Sequence, residues 1–123
     1  MFDKSFKIFV DFDGTISQKD VGEAMFLRFG DSEKALEIAN DWMSYKINAT
    51  DAWTATCKTI KKLDHDEFDK FLIDIQIDPG FVKFVDWCKK SQSELKILSD
   101  GFDYYIDKFL KREGLSHVEV RTN

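Results

Sequence analysis

Asp11 and Asp13 stand two residues apart, directly behind the apolar run Phe6-Lys7-Ile8-Phe9-Val10. Side chains of a strand alternate with period two, so both carboxylates leave the strand end on one side. Gly14 and Thr15 follow at once, where the chain has to turn. Two close carboxylates raise each other's proton affinity unless a cation intervenes. A hard divalent ion such as Mg²⁺ suits all-oxygen ligands and substrate phosphates. The pattern points to phosphate chemistry, with one Asp as nucleophile and the other as proton carrier.

Such a pair needs a rigid frame. Residues 6–11 read as a buried strand, and the next 65 or so residues hold no further strand. Val21 to Phe29 read as a helix ending near Gly30. Asp31 or Ser32 caps a second helix, with Leu36, Ala39 and Met43 inward at helical spacing. Thr50 caps a third, with Trp53, Cys57, Ile60 and Leu63 on one face. Asp64 or Asp66 opens a fourth, with Phe68, Phe71, Leu72 and Ile75 inward. Asp78-Pro79 pairs an N-cap carboxylate with a proline at the first helical position, and Phe81, Phe84, Val85 and Cys88 supply that helix's apolar face. Leu95 to Leu98 read as a second strand, ending at Ser99-Asp100-Gly101. A helix over Phe102 to Arg112 turns Phe102, Tyr105, Ile106, Phe109 and Leu110 inward, and Gly114 stops it. His117 to Val120 read as a third strand.

This strand, helix, strand rhythm predicts an α/β fold with a parallel sheet of about three strands. Ligand sites of such sheets lie at the carboxyl ends of the strands, where Asp11, Asp13 and Ser99 fall. The expected division is an α/β core from residues 1–18 and 78–123, with residues 19–77 as a helical cap above it.

Composition narrows the class. The 123 residues include twelve Phe and three Trp, are 43% hydrophobic, and carry a net charge of −5. Disorder is excluded on that count. Basic residues gather only in short pairs such as Lys61-Lys62 and Lys89-Lys90, which read as solvated helix ends and argue against nucleic acid as a partner. No apolar run approaches the roughly 20 residues that span a bilayer, and Met1 to Ser5 lack the regions of a secretory leader. Cys57 and Cys88 have no zinc-type spacing and read as buried free thiols. The expectation is a soluble cytoplasmic protein without membrane partners.

DFDGT after an apolar strand resembles the first motif of the haloacid dehalogenase superfamily of phosphohydrolases, and Ile97-Leu98-Ser99-Asp100-Gly101 resembles its second. The helical insert between them resembles a C1-type cap. Asp78-Pro79-Gly80-Phe81 and the run from Ser99 to Ile106 resemble the phosphoserine phosphatase-like branch, and within it the 2-hydroxy-3-keto-5-methylthiopentenyl-1-phosphate phosphatases. The resemblance implies a partial haloacid dehalogenase-like Rossmannoid core and Mg²⁺-dependent hydrolysis of a small-molecule phosphate ester. Asp11 would form an aspartyl-phosphate and bind Mg²⁺. Asp13 would protonate the leaving alcohol, later activate water, and offer its backbone carbonyl to the metal. Ser99 would hold a phosphate oxygen, helped by backbone N–H groups near Asp100, Gly101 and the turn at Gly14 and Thr15, although a serine there also suits a helix N-cap. Asp20 lies where relatives of this branch reach a substrate amine, and it equally suits the cap of the helix beginning at Val21.

The pattern departs from the family in one respect. The lysine and the second acidic motif that complete such sites follow the third strand, and the chain ends at Asn123. The resemblance therefore implies the N-terminal part of a longer enzyme, with little or no phosphatase activity in these residues alone. The first strand would keep an apolar edge, which favours self-association. Phosphoserine enzymes of the branch it resembles use a cap Arg for the substrate carboxylate, and no Arg occurs between Arg28 and Arg112, so the resemblance disfavours phosphoserine as substrate. Lys46 and Lys58 are candidate cap cations or solvated residues. Trp42, Tyr45 and Trp53 line a pocket or fill the cap's core. Two rival readings stand beside the enzyme: a phosphoacceptor signalling module, which needs about five strands, and a non-catalytic binding or regulatory protein on the same core.

Overall fold

The computed structural model describes residues 5–122. Met1 to Lys4, on which the reading of the N-terminus mostly rests, and Asn123 lie outside them. The order of elements is β1 (Lys7–Val10), α1 (Val21–Phe29), α2 (Ser32–Met43), α3 (Ala49–Cys57), α4 (His65–Ile73), α5 (Pro79–Lys90), β2 (Glu94–Ser99), α6 (Asp103–Arg112) and β3 (Glu119–Thr122). The three strands form one parallel sheet in the order β1-β2-β3. Lys7 to Val10 lie in register with Glu94 to Ile97, and Lys96 to Ser99 with Glu119 to Thr122. The expected α/β architecture is therefore present. Among the described residues no helix is long and apolar enough to cross a membrane.

The chain divides into two compact units, residues 1–21 with 72–123, and residues 22–71. In the first, parity assigns each sheet residue to a face. Ile8, Val10, Leu95, Ile97, Ser99 and Val120 share one face, and Ile97 and Ser99 on it are buried. The core is completed by Phe81, Val85 and Cys88 of α5 and by Tyr105, Ile106, Phe109 and Leu110 of α6. The opposite face carries Lys7, Phe9, Lys96, Leu98, Glu119 and Arg121. Asp78 caps α5 as its sequence predicts, its carboxylate accepting from the Gly80 N–H at 2.8 Å. The Arg112 guanidinium donates to the carbonyls of Leu72 (3.2 Å), which also accepts from the Ile75 N–H (3.1 Å), and of Ile75 (2.7 Å), tying this segment to α6. A feature absent from the sequence reading is a single antiparallel bridge between Ser17 and Ile77. It is flanked by hydrogen bonds from Gln18 N–H to the Gln76 carbonyl (2.9 Å) and from Asp78 N–H to the Ile16 carbonyl (2.8 Å).

In the second unit, Phe26 meets Trp53 edge-on, and Phe29 meets Phe68 and Phe71. Several expectations need correction here. The α2 stripe of Leu36, Ala39 and Met43 is not the buried one: Ala35 is buried, while Leu36 is 53% and Met43 73% exposed. Trp42 and Tyr45 are exposed as well, so they do not fill a core. Asn48 caps α3 in place of Thr50, because its extended backbone lets Oδ1 accept from the Asp51 N–H at 2.8 Å. Ile60 and Leu63 lie beyond that helix. Asp64, not Asp66, caps α4. Cys57 is exposed and Cys88 buried. In the first unit, β3 begins two residues later than predicted. The Val118 N–H is bound to the Leu115 carbonyl (3.0 Å), which holds His117 and Val118 in a turn.

Candidate active site

The site grows from the end of β1. Phe12 is wholly buried, with its ring centroid 5.7 Å from that of Phe109 and 6.2 Å from that of Tyr105. With Phe12 anchored inward, its neighbour Asp11 is exposed and Asp13 half-buried. The Phe12 carbonyl accepts from the N–H groups of Thr15 (3.1 Å), Ile16 (2.9 Å) and Ser17 (3.1 Å), which winds the chain into a tight turn. Gly14 sits in that turn at φ +73°, a conformation that favours glycine. Its N–H donates to the buried Ser17 hydroxyl (3.1 Å), which in turn donates to the Lys19 carbonyl (2.5 Å). Ser17 therefore organises the turn, a role that no motif in the sequence announced.

Asp11 is exposed, and its Oδ1 accepts from the Phe12 N–H at 2.8 Å. Asp13 is half-buried, with both carboxylate oxygens engaged. Oδ1 accepts from the Val21 N–H (2.8 Å) at the start of α1, and Oδ2 accepts from the Tyr105 hydroxyl (2.7 Å). Asp13 thus meets the helix start for which Asp20 is the nearer candidate. A carboxylate at a helix N-terminus is favoured by the dipole as well as by the hydrogen bond. Burial first, and then the bond to Asp13, push the Tyr105 hydroxyl far above its ordinary pKa and keep it a donor.

The turn after β2 meets the turn after β1 at this point. Ser99 is buried, and its Oγ accepts from the Gly101 N–H at 2.9 Å. Gly101 is buried as well, and a Cβ there would collide with the Tyr105 hydroxyl and Asp13 Oδ2. Only a residue without a side chain lets Tyr105 reach Asp13. Ser99 is not the N-cap of α6; Phe102 holds that position and supplies no capping side chain. The N-cap side chain thus makes no capping hydrogen bond, and a helix N-terminus favours anions. Gly14, Thr15, Asp20 and Asp100 all lie in these two turns or beside them, with Thr15, Asp20 and Asp100 exposed. The N–H groups of Gly14, Thr15 and Gly101 close the turns on themselves.

The donor set can be tested against a metal. Asp11 offers carboxylate oxygen, while both oxygens of the Asp13 carboxylate are held by neutral donors, which leaves that residue's main chain as the ligand it could offer. These are hard oxygen atoms, and Mg²⁺ is commonly held by one or two carboxylates with water and substrate phosphate completing its shell. The residues present fit such an ion. Among the described residues, no group of three or more His, Cys, Asp or Glu gathers into a fuller cage.

Comparison with known proteins gives the same frame. The model of the haloacid dehalogenase-like hydrolases matches residues 8–123. A 2-hydroxy-3-keto-5-methylthiopentenyl-1-phosphate phosphatase of Brevibacillus brevis is 30% identical over 121 residues, which are 98% of this chain and 54% of that protein. Pdp3-interacting factor 1 of Schizosaccharomyces pombe is 29% identical over 98% of this chain and 55% of its own length. A phospho-aspartyl intermediate analogue of phosphoserine phosphatase superposes with a TM-score of 0.77 over 97% of this chain and 56% of that one, at 22% identity. The chain thus spans about half the length of the curated relatives it matches. With its parallel sheet, its DFDGT turn and a family match that runs from β1 to Asn123, this chain belongs to the haloacid dehalogenase-like hydrolases.

Proposed function

We propose that these residues carry the nucleophile end of a Mg²⁺-dependent phosphomonoester hydrolase that works through an aspartyl-phosphate. The observation that carries this reading is the meeting of the DFDGT turn and the Ser99-Asp100-Gly101 turn at the ends of adjacent parallel strands, with Asp13, Gly101 and Tyr105 in one cluster. Asp11 is the exposed carboxylate and takes the nucleophile's role. Asp13, held by two donors, carries a proton to the leaving alkoxide and later takes one from water. Ser99 has accepted from Gly101 and keeps its own proton for a phosphate oxygen. The N-terminus of α6 faces the same anion, and Gly14, Thr15, Asp100 and Gly101 shape the turns beside it, the N–H groups of Gly14, Thr15 and Gly101 being engaged within those turns. Asp20 is close enough to bear on Tyr105 electrostatically and lies at the rim for a substrate's polar group.

Mg²⁺, held by Asp11 and the Asp13 carbonyl, would cancel charge. Two like charges about 4 Å apart repel by several kcal/mol at intermediate dielectric, more than hydrogen bonds alone offset. The substrate class is a small phosphate ester. The Brevibacillus relative supports a phosphorylated metabolite without an amino-acid carboxylate, in keeping with the lack of Arg between Arg28 and Arg112. We assign residues 19–77 the role of a cap that selects the ester's organic group. Free Cys57 and Cys88 are in keeping with a reducing, cytoplasmic setting.

The test is ligand binding rather than turnover. Beryllium fluoride with Mg²⁺ should bind the wild-type chain, and Asp11→Asn should abolish it in calorimetry; equal binding by both proteins would sink the assignment. These residues alone should turn over p-nitrophenyl phosphate slowly or not at all, since losing a single electrostatic donor costs on the order of 10²–10³ in rate. Brisk Mg²⁺-dependent turnover that Asp11→Asn removes would overturn that expectation.

A second reading, a non-catalytic binding protein on the same core, is favoured by one observation: no third acid gathers with Asp11 and Asp13 among the described residues. The printed name of the fission-yeast relative, an interacting factor, is in keeping with it. A phosphoacceptor module would need about five alternating strands, and the four helices between β1 and α5 do not suit it.

A further inference from the structure

Tyr105 lies on the inward stripe of α6 with Ile106, Phe109 and Leu110, and all four are buried. The other three are purely apolar, while Tyr105 ends in a hydroxyl and is wholly shielded from solvent. Packing alone asks for no hydroxyl here. A buried tyrosine O–H has to find a partner, and a phenylalanine does not. The ring packs against those of Phe12 and Phe102, each centroid 6.2 Å away. That leaves the hydroxyl rotation about its own C–O bond, and it donates to Asp13 Oδ2 at 2.7 Å. Gly101 keeps the place open, since a Cβ on it would collide with both the hydroxyl and that oxygen.

The bond bears on what Asp13 can do. The last torsion of an aspartate side chain is broad and soft. The Val21 N–H holds Oδ1 at 2.8 Å, and a carboxylate pinned at one oxygen can still turn about that torsion. A second donor on Oδ2 stops it. We propose that Tyr105 is a positioning residue whose hydroxyl locks the plane of the Asp13 carboxylate and so fixes the direction in which Asp13 gives and takes a proton. The locking stands on the two hydrogen bonds, and its catalytic use rests on Asp13 being the proton carrier. In the first half-reaction an Asp11 oxygen bonds to phosphorus, the bond from phosphorus to the alcohol oxygen breaks, and Asp13 gives its proton to that oxygen. In the second a water oxygen bonds to phosphorus, the bond to Asp11 breaks, and Asp13 takes the water's proton. Tyr105 keeps its own proton in both, since a tyrosine hydroxyl ordinarily ionises only near about pH 10. An ionised carboxylate has about four acceptor sites, so two donors orient it without barring a proton. Orientation is worth much here, because a misplacement of about 1 Å can cost on the order of 10² in rate.

Amide exchange in the chain without ligand tests the locking. Tyr105→Phe should speed exchange of the Val21 amide at least about fivefold, over and above any change shared by Val85 and Cys88 of α5. Para-aminophenylalanine at the same position restores an N–H donor and should restore the wild-type rate. Fluoride mimics with Mg²⁺ test the catalytic use. Tetrafluoroaluminate seats a water in line with Asp11, where Asp13 has to meet it, and beryllium fluoride seats none. Tyr105→Phe should weaken tetrafluoroaluminate at least about fivefold in calorimetry and leave beryllium fluoride within about twofold. Circular dichroism checks that the variant folds. Should it not, the wild type decides: the Tyr105 hydroxyl proton must exchange slowly, and faster in Asp13→Ala. A Val21 amide indifferent to Tyr105→Phe overturns the proposal. So does a para-amino variant that behaves like Tyr105→Phe, an equal loss of both fluorides, or a wild-type hydroxyl proton that exchanges fast. A wild-type chain that binds neither fluoride defeats the assignment of Asp11 instead, and the exchange rates still decide for Tyr105.

Discussion

Helices α6 and α2 make an instructive pair. Both read in the sequence as amphipathic, with apolar residues at helical spacing. In α6 four of the five residues predicted inward, Tyr105, Ile106, Phe109 and Leu110, are buried, and Phe102 at the helix start is half-buried. In α2 the predicted stripe is largely in solvent, and the residue that packs is the small Ala35. Periodicity therefore tells that a helix has two sides, and it does not tell which neighbour meets the apolar one. In α6 the rings of Phe12, Tyr105 and Phe109 leave one way to pack. In α2 the small Ala35 is the buried residue, Ile38 is half-buried, and Leu36, Trp42 and Met43 remain as exposed apolar surface.

The contrast can be broken at several points. Phe109→Ala removes a buried ring beside Phe12 and should destabilise by about 3–5 kcal/mol in urea unfolding. An effect under about 1 kcal/mol would show that α6 is no more committed than α2. Gly101→Ala drives a methyl group into the Tyr105 hydroxyl and Asp13, at a cost of about 1–3 kcal/mol. In a Tyr105→Phe background the same change should cost less, and the double-mutant cycle reads the difference. Tyr105→Phe by itself leaves Asp13 Oδ2 without its partner and should cost about 1–3 kcal/mol. Asp64→Ala strips the cap from α4, worth about 1 kcal/mol. Smallest of all, Leu36→Ala and Met43→Ala should stay within about 0.5 kcal/mol of wild type, the α2 counterpart to Phe109→Ala.

Much of the candidate site was legible because it is local. Asp11 to Thr15 state their strand end, turn and carboxylates within five residues, and Asp78-Pro79 states its helix start within two. The α/β order followed from the run of apolar segments. What could not be read joins distant residues. Asp13 and Tyr105 are separated by 92 positions, and the hydroxyl sits in a stripe that reads as plain core. The pairing of Gly101 with that hydroxyl is equally non-local, although a glycine four residues before a tyrosine on an inward helix face is a signal to look for. Asn48 replaced Thr50 as a cap because either residue type suits the role, and only the backbone decides between them. Cys57 was read as buried from its apolar neighbours, yet it lies at the last residue of α3 with its side chain outward.

The bridge between Ser17 and Ile77 has a consequence for how this protein can change. It brings the start and the end of the helical stretch to adjacent points, so the core meets that stretch as a loop already tied at its neck. Closing a flexible loop grows more costly only with the logarithm of its length, about 0.6 kcal/mol for each doubling. A tied neck makes the core still less sensitive to what lies beyond it. Helices beyond Val21 can be lengthened or exchanged there, provided that the Val21 N–H keeps its bond to Asp13 and the Leu72 and Ile75 carbonyls keep theirs to Arg112. The four-helix stretch is thus a segment whose length and composition can vary with little strain on the sheet, with Ser17 and Ile77 as its splice point.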